Sequence, residues 1–140
     1  MEDLSLHILD VVENSIRARA GRVTIRLTEN RGADVLTLEI DDDGEGMDDD
    51  TKARCLDPFF TTKSGREVGL GLPFLAQSAE ETGGSLSIET AKGKGTKVIV
   101  TYTLSHIDLR PFGDIDGTLR CLKVTHPEVQ LRYHYVKIER

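Results

Sequence analysis

Three short stretches carry residue types suited to holding a nucleotide. In Asp42-Asp43-Gly44-Glu45-Gly46-Met47, a carboxylate and two spaced glycines stand where an alternating apolar run stops. A carboxylate at a strand end, in a partly apolar setting, accepts a hydrogen bond from an exocyclic amine such as that of adenine. Gly44 and Gly46 let a flat purine lie against the chain. In Gly69-Leu70-Gly71-Leu72, Gly71 heads a helical pattern, so backbone N–H groups and the helix dipole face an anion there. The third element is a ridge of Asp3, His7, Asp10, Asn14 and Arg17, spaced 4, 3, 4, 3 along one side of a helix. Asn14 offers a neutral oxygen for a magnesium ion that keeps most of its water and is shared with phosphates. Asp10, one turn earlier, is placed to orient or deprotonate a water near a terminal phosphate. Arg17, one turn later, is placed to pair with phosphate oxygens.

Each signal is weak by itself, because a polar ridge is ordinarily a solvated face and Gly-x-Gly ordinarily a turn. The glycines form no P-loop, since Gly-x4-Gly-Lys-Ser/Thr is absent, and no parallel strand–helix–strand unit surrounds them. A calcium loop is the rival reading of the first stretch, with Glu39, Asp41, Asp43 and Gly44 echoing positions 1, 3, 5 and 6 of an EF-hand. It fails in context. The preceding segment reads as a strand, Gly46 occupies the usual apolar position, and Asp50 replaces the bidentate glutamate.

The elements that must position these residues follow from hydrophobic period. Leu4, Ile8, Val11, Val12 and Ile16 share one arc at about 100° per residue, which predicts a helix over 4–20 closed by Gly21. Val23, Ile25 and Leu27 alternate, Asn30-Arg31-Gly32 turns, and Leu36, Leu38 and Ile40 alternate again into the opening stretch. Asp49 to Leu56 makes a short helix, and 57–67 a long loop anchored by Phe59 and Phe60. Leu72 to Thr82 is helical and ends at Gly83-Gly84; Leu86 and Ile88, then Val98, Val100, Tyr102 and Leu104, form two more strands. Helix, two strands, loop, helix, two strands is a two-layer α/β sandwich, its mostly antiparallel sheet covered by helices on one face. The expected domain is 1–104, with 105–140 an appended helix–strand unit in which Asp114 caps the helix.

Bulk composition narrows the classes. A net charge of −6 argues against broad nucleic-acid binding, and 5% aromatic content against a base-stacking surface. No apolar run reaches the roughly 20 residues of a membrane span, and the acidic start Met1-Glu2-Asp3 is unlike a secretory signal. A cytoplasmic location is therefore expected, with Cys55 and Cys121 as reduced structural thiols.

Taken together, Asp10-x-x-x-Asn14-Ser15, Asp42-x-Gly44-x-Gly46-Met47, Pro58-Phe59-Phe60-Thr61-Thr62-Lys63, Gly69-Leu70-Gly71-Leu72 and Gly93-x-Gly95-Thr96 resemble the motif set of the Bergerat-fold (GHKL) ATPases. This superfamily includes histidine kinases, DNA gyrase, heat-shock chaperone ATPases and mismatch-repair ATPases. The resemblance covers roughly residues 4 to 104, and its lid is most like that of sensor histidine kinases. It implies ATP and Mg2+ as ligands, with Asn14 on the metal and Asp42 on the adenine amine. It places Arg17, Lys63, Gly69 and Gly71 around the phosphates, and Thr96 near the adenine end, bonding Asp42 or its water. Gly44, Gly46, Met47, Thr62, Leu70 and Leu72 are further nucleotide contacts by the same motifs.

The departures shape the functional expectation. The chain starts at the first Bergerat helix without the phosphoacceptor segment of a histidine kinase, and His7 on that helix is expected to partner Asp10 instead. Asp10 stands where ATP-hydrolysing relatives and anti-sigma-factor serine kinases carry glutamate, and Glu67 replaces the first glycine of the lid motif. The expected activity is transfer of the γ-phosphate of Mg-ATP to a separate protein. The alternatives are an ATP-dependent binding switch, or a slow ATPase with Asp10 as base.

Overall fold

The computed structural model describes residues 4–54, 71–106 and 114–138. Helix α1 (Leu4–Arg17) buries Leu4, Ile8, Val11 and Val12, the arc that its period predicts. It lies on a five-stranded sheet of β1 (Arg22–Asn30), β2 (Val35–Asp42), β3 (Ser85–Thr90), β4 (Thr96–Thr103) and β5 (Gln130–Ile138). The order across the sheet is β3-β4-β2-β1-β5. Only the β1–β5 pair is parallel. Three more α-helices, α2 (Asp49–Arg54), α3 (Gly71–Glu81) and α4 (Ile115–Thr125), and a 3-10 turn at Leu104–His106 complete the described elements.

Register explains why the core sits on one face. Ile25 pairs with Ile40 and Leu27 with Leu38, while Leu38 pairs with Val100 and Ile40 with Val98. All of these are buried and meet Leu72, Leu75 and Ala79 of α3 and Leu119 and Leu122 of α4 in one cluster. Alternate residues of the same strands, among them Arg22, Arg26, Glu39 and Lys97, fall on the other face, where the outward alternation of a half-buried sheet puts polar side chains. The expected sandwich is therefore the observed one. The 115–138 segment belongs to the same layer pair, since β5 adds to β1 and Leu131 joins the core. Asp114 caps α4 by accepting the Gly117 N–H at 2.9 Å.

Two local expectations change. Helix α1 ends at Arg17, not at residue 20, and Gly21 is not its cap. Ala20 N–H bonds Ser15 O and Arg19 N–H bonds Ile16 O, a paired closure in which Arg19 takes the left-handed position at φ 64°. Gly83, at φ 84°, does the same work for α3. Arg19 has the side chain that this conformation penalises by about 1–2 kcal/mol, and its ion pair with Glu45 is exposed and contributes little. Arg19→Gly is therefore expected to stabilise the fold by about 0.5–1 kcal/mol after the extra freedom of an unfolded glycine is subtracted. A urea midpoint unchanged or lowered by this substitution would contradict that account of the helix end. The second change concerns Cys121, expected as a structural thiol and found exposed on α4.

Candidate functional site

On β2, Leu36, Leu38 and Ile40 are buried in alternation, and the next position on that face is Asp42, only 9% exposed. The apolar stripe thus ends in a carboxylate beneath α1. Ser15 Oγ donates to Asp42 Oδ2 at 2.7 Å, and the Gly44 N–H donates to Oδ1 at 2.9 Å. Ser15 Oγ also lies 3.3 Å from Val11 O, but its single proton goes to the shorter, charge-assisted bond. A buried carboxylate without such donors costs several kcal/mol. With them, each oxygen keeps a further lone pair to offer a ligand.

A second network backs this one. Thr96 is the β4 partner of Asp42. Thr90 Oγ1 donates to Gly95 O at 2.8 Å, accepts the Met47 N–H at 2.9 Å, and lies 2.9 Å from Thr96 Oγ1. Because the one proton of Thr90 is committed to Gly95, Thr96 is the donor of that pair. The Thr96 hydroxyl is then an acceptor toward any further partner.

The glycines have a reason of their own. Gly46 and Gly95 sit at φ 71° and 80°, and a side chain at either would overlap the carbonyl oxygen of Ala91 or of Asp42. At Gly44 a Cβ would lie 2.7 Å from Ala18 O. At each of these positions the chain's own backbone takes the place a Cβ would occupy. Glu45 N–H to Ala18 O at 2.8 Å and Gly93 N–H to Glu45 O at 2.6 Å complete the interlock. Asp43 Oδ1 accepts from the N–H groups of Gly21 and Arg22, both at 2.8 Å, tying the start of β1 to the end of β2. The Arg22 N–H bond holds the Asp43 carboxyl below the usual carboxylate range against a smaller desolvation effect, and the Gly21 bond and Arg22 charge add to it.

The ridge of α1 divides. Asn14, half-buried and next to Ser15, accepts from Arg17 Nη1 at 3.0 Å through Oδ1. Asp10 is exposed one turn earlier. His7 is 2% exposed, with Nε2 3.5 Å from Ser78 Oγ of α3, so it belongs to the α1–α3 interface. Met47 packs on the core edge, and Leu72 lies inside the core, which leaves its backbone alone to meet a ligand. Gly71 is the first residue of α3, as expected. Thr62, Lys63, Gly69 and Leu70 lie outside the described residues, as does the 57–67 loop.

Sequence reasoning therefore brought together Asn14, Asp42, Gly44, Gly46, Met47 and Thr96, and missed what holds them. Ser15 had a usable signal, a hydroxyl on the apolar side of α1, where a buried polar group needs a partner. Thr90 had none, because its position at the hub depends on the 91–95 turn.

Comparison with known proteins agrees with this fold. The fold matches the ATPase domain of Aquifex aeolicus MutL, a structure solved with ADP, at a TM-score of 0.62 and 15% identity over 96% of this chain and 60% of that one. The sensor histidine kinase ZraS of Salmonella typhi is 32% identical over 90 residues, covering 63% of this chain and 19% of its own. The sensor protein kinase FleS of Pseudomonas aeruginosa is 38% identical over 90 residues, 64% of this chain and 22% of its own. The chain thus spans about a fifth of the length of these relatives. One family matches residues 2–106, three quarters of the chain, and its membership supports ATP binding. The chain belongs to the histidine kinase-, DNA gyrase B-, and HSP90-like ATPases.

Proposed function

We propose that the chain binds Mg-ATP between α1, the end of β2 and the start of α3, and passes the γ-phosphate to a separate protein. The observation that carries this reading is Asp42. Its buried carboxylate is fixed by Ser15 and Gly44 with lone pairs to spare, as recognition of an adenine amine requires. Thr96 lies beside it on β4 to hold a bridging water.

Asn14 fits a magnesium ion. Among the described residues no group of three His, Cys, Asp or Glu side chains gathers to cage a metal. One amide oxygen supplemented by ligand phosphates and water is the regime magnesium prefers. The ion would neutralise charge on the phosphates during transfer. Arg17 now bonds Asn14 Oδ1. On loading it is released toward a phosphate oxygen, where its guanidinium makes a charge-assisted bond. In the transfer, a hydroxyl or imidazole of the acceptor forms a bond to Pγ as the bond from Pγ to the bridging oxygen breaks. ADP departs and the acceptor's proton goes to solvent or to Asp10.

Asp10, exposed one turn from Asn14, also favours a second reading in which its carboxylate deprotonates water and the chain is a slow ATPase. Incubation with γ-labelled ATP, alone and with native lysate, separates these. The proposal expects a labelled partner protein, lost in Asn14→Asp, with little free phosphate from the chain alone. Free phosphate without labelled protein, falling by about 10²-fold or more in Asp10→Asn at unchanged ATP affinity, would instead establish hydrolysis. Neither product, with nucleotide still bound, would leave a binding switch.

The sensor kinases named above support the transfer reading. No described helix is long and apolar enough to cross a membrane, and a cytoplasmic setting is part of this proposal.

A further inference from the structure

The sheet face turned away from the helices carries a hollow of about 370 Å3 toward the start of β1. Register puts Thr24 near its middle, with Arg132 of β5 as its partner on one side and Asp41 of β2 on the other. Arg22 and Arg26 lie two residues to either side of Thr24 on β1 and so share its face. His134 is the β5 partner of Arg26. Neighbouring strands are about 4.8 Å apart and alternate residues about 6.6 Å, within the reach of arginine side chains. Three guanidiniums, an imidazole and a hydroxyl therefore line one hollow.

The charges there do not cancel. Glu39 is 3.7 Å from Arg26, and Asp41 stands opposite Lys97 in the β2–β4 register. Asp43, near Arg22, spends Oδ1 on the N–H groups of Gly21 and Arg22. Among the described residues, no carboxylate is within ion-pair distance of the Arg22, Arg132 or His134 side chains. Arg132 is held by a neutral group instead. With its amide turned as the hydrogen-bond network requires, the Gln130 side-chain oxygen accepts from Arg132 Nη2 at 2.9 Å and Nε at 3.1 Å. That orients the guanidinium and leaves its charge and remaining donors to spare. Around the hollow, Arg22, Arg26, Lys97 and Arg132 outnumber Glu39 and Asp41 by two, with His134 neutral, in a chain of net charge −6.

We propose that this hollow binds a phosphorylated serine or threonine side chain of a partner protein, the phosphate bridging Arg22 and Arg132 above the Thr24 hydroxyl. A phosphate monoester carries about −1.5 to −2 charges and three acceptor oxygens, which matches the surplus of two and uses more donors than a carboxylate does. Guanidinium forks bind such oxygens in pairs. Beside the hollow on the same face, Thr28 aligns with Thr37 of β2 and Val136 of β5, an uncharged row along which the flanking peptide lies. A lipid headgroup is the poorer occupant, because Glu39 and Asp41 on this face repel an anionic membrane surface. The inference goes beyond the nucleotide reading and stands without it, since none of the residues lining the hollow belongs to that site.

The test is fluorescence anisotropy with a labelled peptide carrying one phosphoserine among uncharged residues, and its serine and glutamate counterparts, titrated with the full chain. The phosphopeptide is expected to bind about tenfold or more tighter than either counterpart. Its affinity should fall by about tenfold or more in the double variant Arg22→Gln, Arg132→Gln. Arg132→Lys, which keeps the charge but not the fork, should weaken it by about threefold or more. Lys123→Gln, exposed on α4 across the sheet, should leave binding unchanged, and thermal melts check that each variant folds. A small excess of Mg-ATP should not displace the peptide. Equal binding of the three peptides, indifference to the arginine substitutions, or displacement by Mg-ATP would overturn the proposal. So would inorganic phosphate that competes at the peptide's own affinity, or phosphoinositide vesicles that bind more tightly than the peptide.

Discussion

Asp42→Asn is expected to lower ATP affinity by about 10- to 150-fold, the loss of one hydrogen bond to a charged acceptor worth about 1.5–3 kcal/mol. Asparagine is the informative substitution because it keeps the shape. Its oxygen still accepts the Gly44 N–H, and its amide nitrogen donates to Ser15 Oγ in place of the bond now running the other way. The fold should therefore hold, and the thermal midpoint should shift little. What is lost is an acceptor for the adenine amine, so binding of GTP, which presents a carbonyl at that position, should fall far less than binding of ATP. Calorimetric titration of both nucleotides reads this out. An ATP affinity equal to that of the unsubstituted chain would remove Asp42 from the purine contact.

Gly46→Ala should be strongly damaging. The residue sits at φ 71°, where a side chain costs about 1–2 kcal/mol. The added carbon would also overlap the Ala91 carbonyl oxygen, and Gly95 O lies 3.0 Å from it. Both neighbours are backbone and cannot rotate away, so the 91–95 turn must shift and with it Thr90, Thr96 and the Met47 N–H bond. A loss of more than about 3 kcal/mol is expected, within the range that overpacking and backbone strain produce together. Gly93→Ala is the matched control. It has a similar φ of 81° but nothing within 4 Å of the added carbon. It should show the conformational cost alone, about 1–2 kcal/mol. Denaturant midpoints that coincide for the two variants would mean that the 46–91 contact does not hold the loop.

Much of this architecture is legible in the residues. Alternation in β1, β2 and β4 and the 3.6-residue period of α1 fixed the core face, because burial on one side imposes period and register together. Asp42 could be singled out since a carboxylate that ends an apolar alternation must find donors. What the sequence could not show is who supplies them. Ser15 lies 27 residues away and Thr90 lies 48 away from Asp42, and only closure of the sheet brings all three to one end. Arg19 hid the helix end for a different reason. A nearby glycine is the usual left-handed residue, and Gly21 drew the assignment although Arg19 pays the conformational cost. Gly44, Gly46 and Gly95 were visible as glycines, but the backbone packing around them was not. Close backbone approach to Ala18, Ala91 and Asp42 accounts for them before any ligand is considered.

The central claim is that one adenine nucleotide sits between α1, the end of β2 and the start of α3, with its adenine end beside Thr96 of β4. Titrating the isotopically labelled chain with Mg-ATP while following its backbone amides tests this most directly. The account predicts saturable shifts clustered at Asp42 to Met47, Thr96 and Asp10 to Arg17, with the amides of β5 unmoved. Shifts confined to the open sheet face around Arg26 and Arg132, with Asp42 to Met47 silent, would contradict it.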